Sequence, residues 1–160
     1  MDAEQEVYLG HLLWLMEQFQ VCLDGLTAAQ ATWSPPAAEK NSVSTIARHI
    51  LGVTRVYALG FGCGQQVTRD RPAEFAGQPG DPASLRIDFA HLAADLEKGF
   101  TALVPGELDR HLVPPQQLWG TGEPHEISAR EGVVEAIRHA GIHLGEMRLT
   151  RDLARAALPG

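Results

Sequence analysis

Apolar side chains recur along this chain with the period of an α-helix. A helix turns about 100° per residue, so positions i, i+3, i+4 and i+7 share one face. Tyr8, Leu12, Leu15, Met16, Phe19 and Leu23 make such a stripe, and Gly25 follows as a stop. They predict a first helix from about Ala3 to Gly25. Ile46, Ile50, Val53 and Tyr57 predict a second, starting near Ser42 and ending at Gly60-Phe61-Gly62. Leu85, Phe89, Leu92, Leu96 and Leu103 fall almost on one line of a third. It starts near Asp81 or Ser84, with Pro82 suited to a first turn and Pro105-Gly106 as terminator. The fourth has the clearest start. Ser128-Ala-Arg-Glu131 fits a capping box, and the helix should reach about Leu153.

The segments between are rich in breakers. Thr27 to Asn41 reads as a loop around Pro35-Pro36, and Gly62 to Pro82 as a mobile connection. Glu107 to Ile127 is longer and holds Pro114-Pro115, Gly120, Gly122 and Pro124. A loop of that length in a small domain is often functional or crosses the bundle. No strand alternation, internal repeat or second domain stands out. The expectation is all-α: one domain over residues 1–160, a four-helix bundle with long connections.

Charge narrows the partners. The chain carries 20 acidic and 13 basic side chains, for a formal net charge of −7. Without a basic surface to neutralise phosphates, no nucleic acid is expected as a partner, and no anionic membrane surface either. No apolar run approaches the ~20 residues that span a bilayer. The N-terminal Met-Asp-Ala-Glu-Gln-Glu is acidic where a signal peptide is basic. A cytoplasmic protein with a small-molecule substrate fits best. The two cysteines, Cys22 and Cys63, form no CxxC pair and read as free thiols; Cys63, between two glycines, looks exposed and flexible.

The chemistry gathers on the fourth helix, in His139-Ala-Gly-Ile-His143. Imidazoles four residues apart project from one face, one turn apart, and can offer two nitrogens to one metal. With His139 at 0°, His143 falls at about 40°, Thr150 at about 20° and Glu146 at about 340°. Ile142, Leu149 and Leu153 lie on one flank, and Val133, Ala136, Ala140 and Met147 on the other. The pair is therefore expected to point into the bundle, amid the apolar arc. An HxxxH alone is equally compatible with core histidines bonded to backbone or carboxylate. His49, on the apolar side of the second helix beside Ile46 and Val53, tips the balance. Three nitrogen ligands with open positions is the pattern of a catalytic metal site; closed structural sites use four protein ligands. Glu146 shares the face and has three open roles: a fourth ligand, a base or hydrogen-bond partner beside the metal, or an ion pair with Arg138 or Arg151. His11, His91, His111 and His125 are expected at the surface. Arg55, Arg69 and Arg71 read as surface charge. Trp33 and Trp119 read as bundle plugs or, alternatively, as a substrate wall.

The sequence resembles the DinB/YfiT-like superfamily of metal-binding helical proteins; this DinB is the damage-inducible protein, not the polymerase sharing the name. The resemblance spans essentially the whole chain. It rests on Leu26-Thr-Ala-Ala-Gln-Ala-Thr-Trp-Ser-Pro35, Ser44-Thr-Ile-Ala-Arg-His-Ile-Leu51 and His139-Ala-Gly-Ile-His-Leu-Gly-Glu146. That family places one metal-binding histidine in its second helix and two, separated by three residues, in its last. His49, His139 and His143 match these one by one. Many members carry Gln where this chain has Glu146. The resemblance implies a four-helix bundle, often a homodimer, with one divalent metal ion: nickel, zinc or iron. Characterised relatives include enzymes that use a low-molecular-weight thiol, such as maleylpyruvate isomerase and S-transferases, and others resemble metal-dependent hydrolases. The superfamily does not fix the reaction.

Three readings follow. The chain is a metal-dependent enzyme of thiol-transfer or hydrolytic type, or a non-catalytic metal-binding stress-response protein, or a bundle whose histidines are structural. A pocket reaching the histidines would separate the first from the second, and metal content the third from both.

Overall fold

Each long helix begins on a side chain that satisfies N–H groups left free at a helix start. The Asp2 carboxylate accepts from Gln5 N at 2.9 Å while the Gln5 side chain accepts from Asp2 N at 3.0 Å, and α1 follows as Ala3–Leu23. Ser42 caps α3, Val43–Thr54, by accepting from Thr45 N. Asp81 caps α5, Pro82–Ala102, with the expected proline in the first turn. Ser128 and Glu131 form the anticipated capping box of α6, Ala129–Ala157, one turn longer than the sequence suggested. The computed structural model describes residues 1–36, 41–76, 80–119 and 122–159. Gly120 and residues 37–40 and 77–79 of the connections lie outside the described residues.

The connections carry more structure than their composition suggests. Thr27 and Gln30 make a third reciprocal cap, for a short α2, Ala28–Thr32. The stretch read as a mobile connection contains α4, Arg71–Glu74. The long final connection holds a 3₁₀ turn, Glu107–Asp109, and two short strands. These are β1, His111–Leu112, and β2, Ile127–Ser128, paired antiparallel with His111 opposite Ser128.

α1, α3, α5 and α6 form the four-helix bundle, with α1 packed on α5 and α6 and α3 packed on both of the latter. Its core is the predicted stripes. Leu12, Met16, Phe19, Ile46, Ile50, Phe89, Leu92, Leu96 and Met147 are at most 1% exposed, and Phe19 stacks on Phe89 with ring centroids 5.2 Å apart. Among the described residues, no helix is long and apolar enough to cross a membrane.

One irregularity bears on the site. Beyond Thr54 the α3 path widens into a π-helix, Arg55–Gly62, closed by Cys63 N donating to Ala58 O at 2.9 Å. It lies against the start of α6 at two glycines. A Cβ at Gly132 would sit 2.9 Å from Phe61 Cβ and 3.1 Å from the Tyr57 carbonyl oxygen. A Cβ at Gly62 would sit 2.5 Å from Val133 Cγ2. This close approach brings Tyr57 beside α6.

Candidate metal centre

α3 and α6 pack together, and this contact unites histidines 90 residues apart in sequence. His49 Nε2 lies 3.0 Å from His139 Nε2. One nitrogen from each of His49, His139 and His143 falls within 4.8 Å of the others. Ring centroids are 5.2 Å apart for His49–His139, 5.0 Å for His49–His143 and 4.7 Å for His139–His143. Two nitrogens about 2.0–2.1 Å from one tetrahedral ion stand about 3.3 Å apart. The closest pair here is already near that spacing, so the donor set fits a divalent ion.

Two of the rings are held from behind by carboxylates. Glu74 Oε2 is 3.0 Å from His49 Nδ1, and Glu146 Oε2 is 2.6 Å from His143 Nδ1. An ionised carboxylate only accepts, so each Nδ1 carries the proton and donates it. That choice of tautomer leaves a lone pair on each Nε2. Glu74 is ionised because Arg69 grips it, Nε to Oε1 at 2.6 Å and Nη2 to Oε2 at 2.7 Å. Burial by itself pushes the Glu74 carboxyl up; the Arg69 and His49 hydrogen bonds outweigh it and hold the group below the usual glutamate range. Arg69 Nη2 also comes within 3.3 Å of His49 Nδ1, but two N–H groups cannot bond each other, so the useful contact of each is with Glu74.

Among the described residues, no carboxylate holds His139 in this way. Burial, followed by the neighbouring His143 and His49, lowers its pKa to about 4, so this ring is neutral at physiological pH. His139 also lines a cavity of about 610 Å³, together with Tyr57, Trp119, His125, Glu135 and Arg138.

The family model of the DinB superfamily matches residues 11–147. The chain belongs to the DinB superfamily. The match spans all three histidines, and a search of curated proteins returns no match. For this DinB-superfamily chain the all-helical fold and a three-histidine cluster fit for metal are thus in place.

The setting differs from the sequence reading in three respects. Ile142, Leu149 and Leu153 are 57%, 63% and 42% exposed, so the buried arc of α6 is narrower than its apolar arc. It runs along Val133, Ala136, Ala140, Leu144 and Met147, and the His139–His143 pair borders it, half-buried, instead of sitting amid it. Arg69, read as surface charge, has a side chain only 3% exposed, drawn inside by Glu74. Cys63 is half-buried, and desolvation lifts its thiol to about 12, so it is protonated and unreactive. Of the two readings given for Trp119 the structure favours the wall: it lines the cavity in contact with Tyr57 and His125. His11, His91 and His111 are exposed as expected. The face assigned to Glu146 holds too. Arg138 pairs with Glu135 and Arg151 with Asp152, which leaves Glu146 to His143.

Glu74 and Tyr57 were missed. Neither belongs to a local motif with a histidine: Glu74 lies 25 residues from His49, in a segment whose composition signals only a loop.

Proposed function

We propose that this protein is a metal-dependent enzyme, with His49, His139 and His143 as ligands to one divalent ion and a small organic molecule as substrate. The observation that carries the proposal is the cavity of about 610 Å³ with a candidate ligand, His139, in its wall. A purely structural metal would gain nothing from space of this size beside it, whereas ligand sites are concave, apolar-lined and furnished with a few polar groups. Tyr57, Trp119 and His125 offer flat surfaces for a substrate, and the Glu135–Arg138 pair offers charge at its edge.

A divalent ion lowers the pKa of a thiol or water bound to it and so supplies a nucleophile near neutral pH. Of the two nucleophiles we favour a low-molecular-weight thiol, transferred to or isomerising an electrophilic substrate. The supporting geometry is that Glu146 is engaged on the far nitrogen of His143, 2.6 Å away. Either nucleophile gives up a proton as it binds the ion; a thiol, with a free pKa of about 8.5 against about 15.7 for water, releases it to solvent without help from a protein base, whereas a bound water gains more from one. The role we assign Glu146 is to hold His143 in its Nδ1–H form, with Nε2 free to bind the ion. Metal-assisted hydrolysis is the alternative, with Glu135, one of two carboxylates lining the cavity, as its base. We further propose a homodimer. Val7, Trp14 and Val21, spaced seven residues apart along α1, are 56%, 50% and 54% exposed and suit a helix-to-helix contact.

The test is elemental analysis of purified protein, followed by turnover of electrophiles with and without added thiols. One equivalent of nickel, zinc or iron and thiol-dependent turnover are expected. Protein that takes up no divalent ion at all refutes the metal reading. Turnover that ignores thiols but hydrolyses esters or amides transfers the assignment to the hydrolase.

A further inference from the structure

The α4 segment, Arg71–Glu74 with Phe75 after it, meets the bundle at His49. Two features converge on that one imidazole, and a third makes room for the first of them. Glu74, with a side chain 8% exposed, accepts from its Nδ1–H. Phe75 packs on its ring, centroids 5.2 Å apart. The third feature is an absence. Gly52 lies three residues beyond His49, on the same face of α3, and a Cβ there would overlap Glu74 Oε1 and stand 3.4 Å from Arg69 Nε. The helix is notched by a glycine where the Glu74–Arg69 pair sits.

We infer that Glu74 is a positioning residue for metal binding, seated in the Gly52 notch and braced by Arg69, fixing the tautomer and ring angle of His49 so that Nε2 faces His139 and His143. The inference rests on the metal reading above and adds to it residues that no local motif contains. His49 needs such a brace more than the other two. His139 and His143 share one helix, so their spacing is set by α6. His49 is a lone ligand from another helix, and rotation about its side-chain bonds would withdraw its nitrogen from the cluster. A ligand histidine typically donates its other N–H to a carboxylate, and loss of that partner costs 10–100-fold in metal affinity. Arg69 makes the arrangement durable, because its two hydrogen bonds hold both oxygens of Glu74 in place.

The test compares wild type with Glu74→Gln and Gly52→Ala. Zinc affinity is measured by competition with a chelator, and the His49 tautomer by ¹⁵N NMR of the imidazoles in metal-free protein. The expected result is 10–100-fold weaker zinc binding in both variants, with α-helical circular dichroism intact and the Nδ1–H signature of His49 lost. Gly52→Ala is the sharper variant, since alanine favours a helix and displaces Glu74 by bulk alone, with the ligand and the carboxylate both retained. Wild-type zinc affinity in both variants, or an unchanged His49 tautomer in both, overturns the inference. If wild type itself binds no metal, the proposed function fails. The NMR comparison still decides whether Glu74 sets the ring.

Discussion

The most direct consequence of the three-histidine centre is a metal-linked stability that vanishes with a single imidazole. An ion that binds only the folded chain stabilises it by RT ln(1 + [M]/Kd), about 2.7 kcal/mol at one hundred times Kd. For 160 residues, each kcal/mol moves the midpoint by roughly 2–4 °C, so the ion should raise Tm by about 5–11 °C. His139→Ala removes the nitrogen 3.0 Å from His49 Nε2 and leaves a two-nitrogen site. If affinity falls at least 100-fold, the same free metal stands at about one Kd and stabilises by only about 0.4 kcal/mol. The metal-free variant should melt close to the metal-free wild type. His139 is half-buried at the border of the packed arc, neutral, and bonded to no carboxylate among the described residues, so its truncation costs about 1 kcal/mol or less. Calorimetry with a chelator and with excess zinc or nickel, beside elemental analysis, measures both terms; His143→Ala should behave alike. Wild-type metal content and an undiminished Tm shift in both variants would refute the centre as drawn.

Other expectations concern acid, charge, packing and assembly. In metal-free protein the His139 pKa is about 4, below the ~6.5 of an unfolded chain, so below about pH 6.5 the unfolded state binds the extra proton and stability falls with falling pH. The slope is at most about 1.4 kcal/mol per pH unit, less for a half-exposed ring; urea titrations should show the difference between wild type and His139→Ala shrinking from pH 6.5 to 4, and a constant difference contradicts the linkage. Glu146→Gln should retain metal at saturation while shifting the pH dependence of activity; loss of the metal would make Glu146 a ligand. Gly132→Ala should destabilise by about 1–3 kcal/mol because its Cβ meets the Tyr57 carbonyl, whereas Gly141→Ala, with open space around it, should stabilise by about 0.5–1 kcal/mol. Light scattering at micromolar concentration should give a dimer mass, and Trp14→Glu a monomer; wild type that is monomeric at every concentration rejects the dimer.

Much of the fold was legible because its determinants are local. The stripe Leu12-Leu15-Met16-Phe19 and the caps Ser42, Asp81 and Ser128 each encode a helix within a few residues, and all became helices where expected. The elements that escaped notice are short and held from elsewhere. α4 spans four residues and has no apolar period to detect; it stands because Glu74 is anchored to Arg69 and His49. β1 and β2 are two residues each and exist only through pairing across the long connection. The exposed flank Ile142-Leu149-Leu153 misled in the opposite direction. Apolar character defines which faces can be buried, while the number of neighbouring helices defines which are.

The same division runs through the centre itself. His139, His143 and Glu146 sit at i, i+4 and i+7 of one helix, so their common face follows from helical geometry without knowledge of the fold. His49 required a family pattern or a coincidence of apolar faces to join them. Glu74 and Arg69 required the folded structure, because the chain between His49 and Glu74 turns through a π-helix and an irregular stretch that no periodicity encodes. Yet one trace of the pair is written in the sequence. Glycine in a helix interior costs about 0.5–1 kcal/mol relative to alanine, and Gly52 lies within a buried, otherwise well-formed α3. A glycine one turn from a candidate ligand, on the ligand's own face, marks space reserved for something that approaches from outside the helix. Here the occupant is the carboxylate that holds the ligand's other nitrogen. Reading such notches beside histidines extends sequence analysis from the ligands to the groups that aim them, and Gly52→Ala is the substitution on which that extension stands or falls.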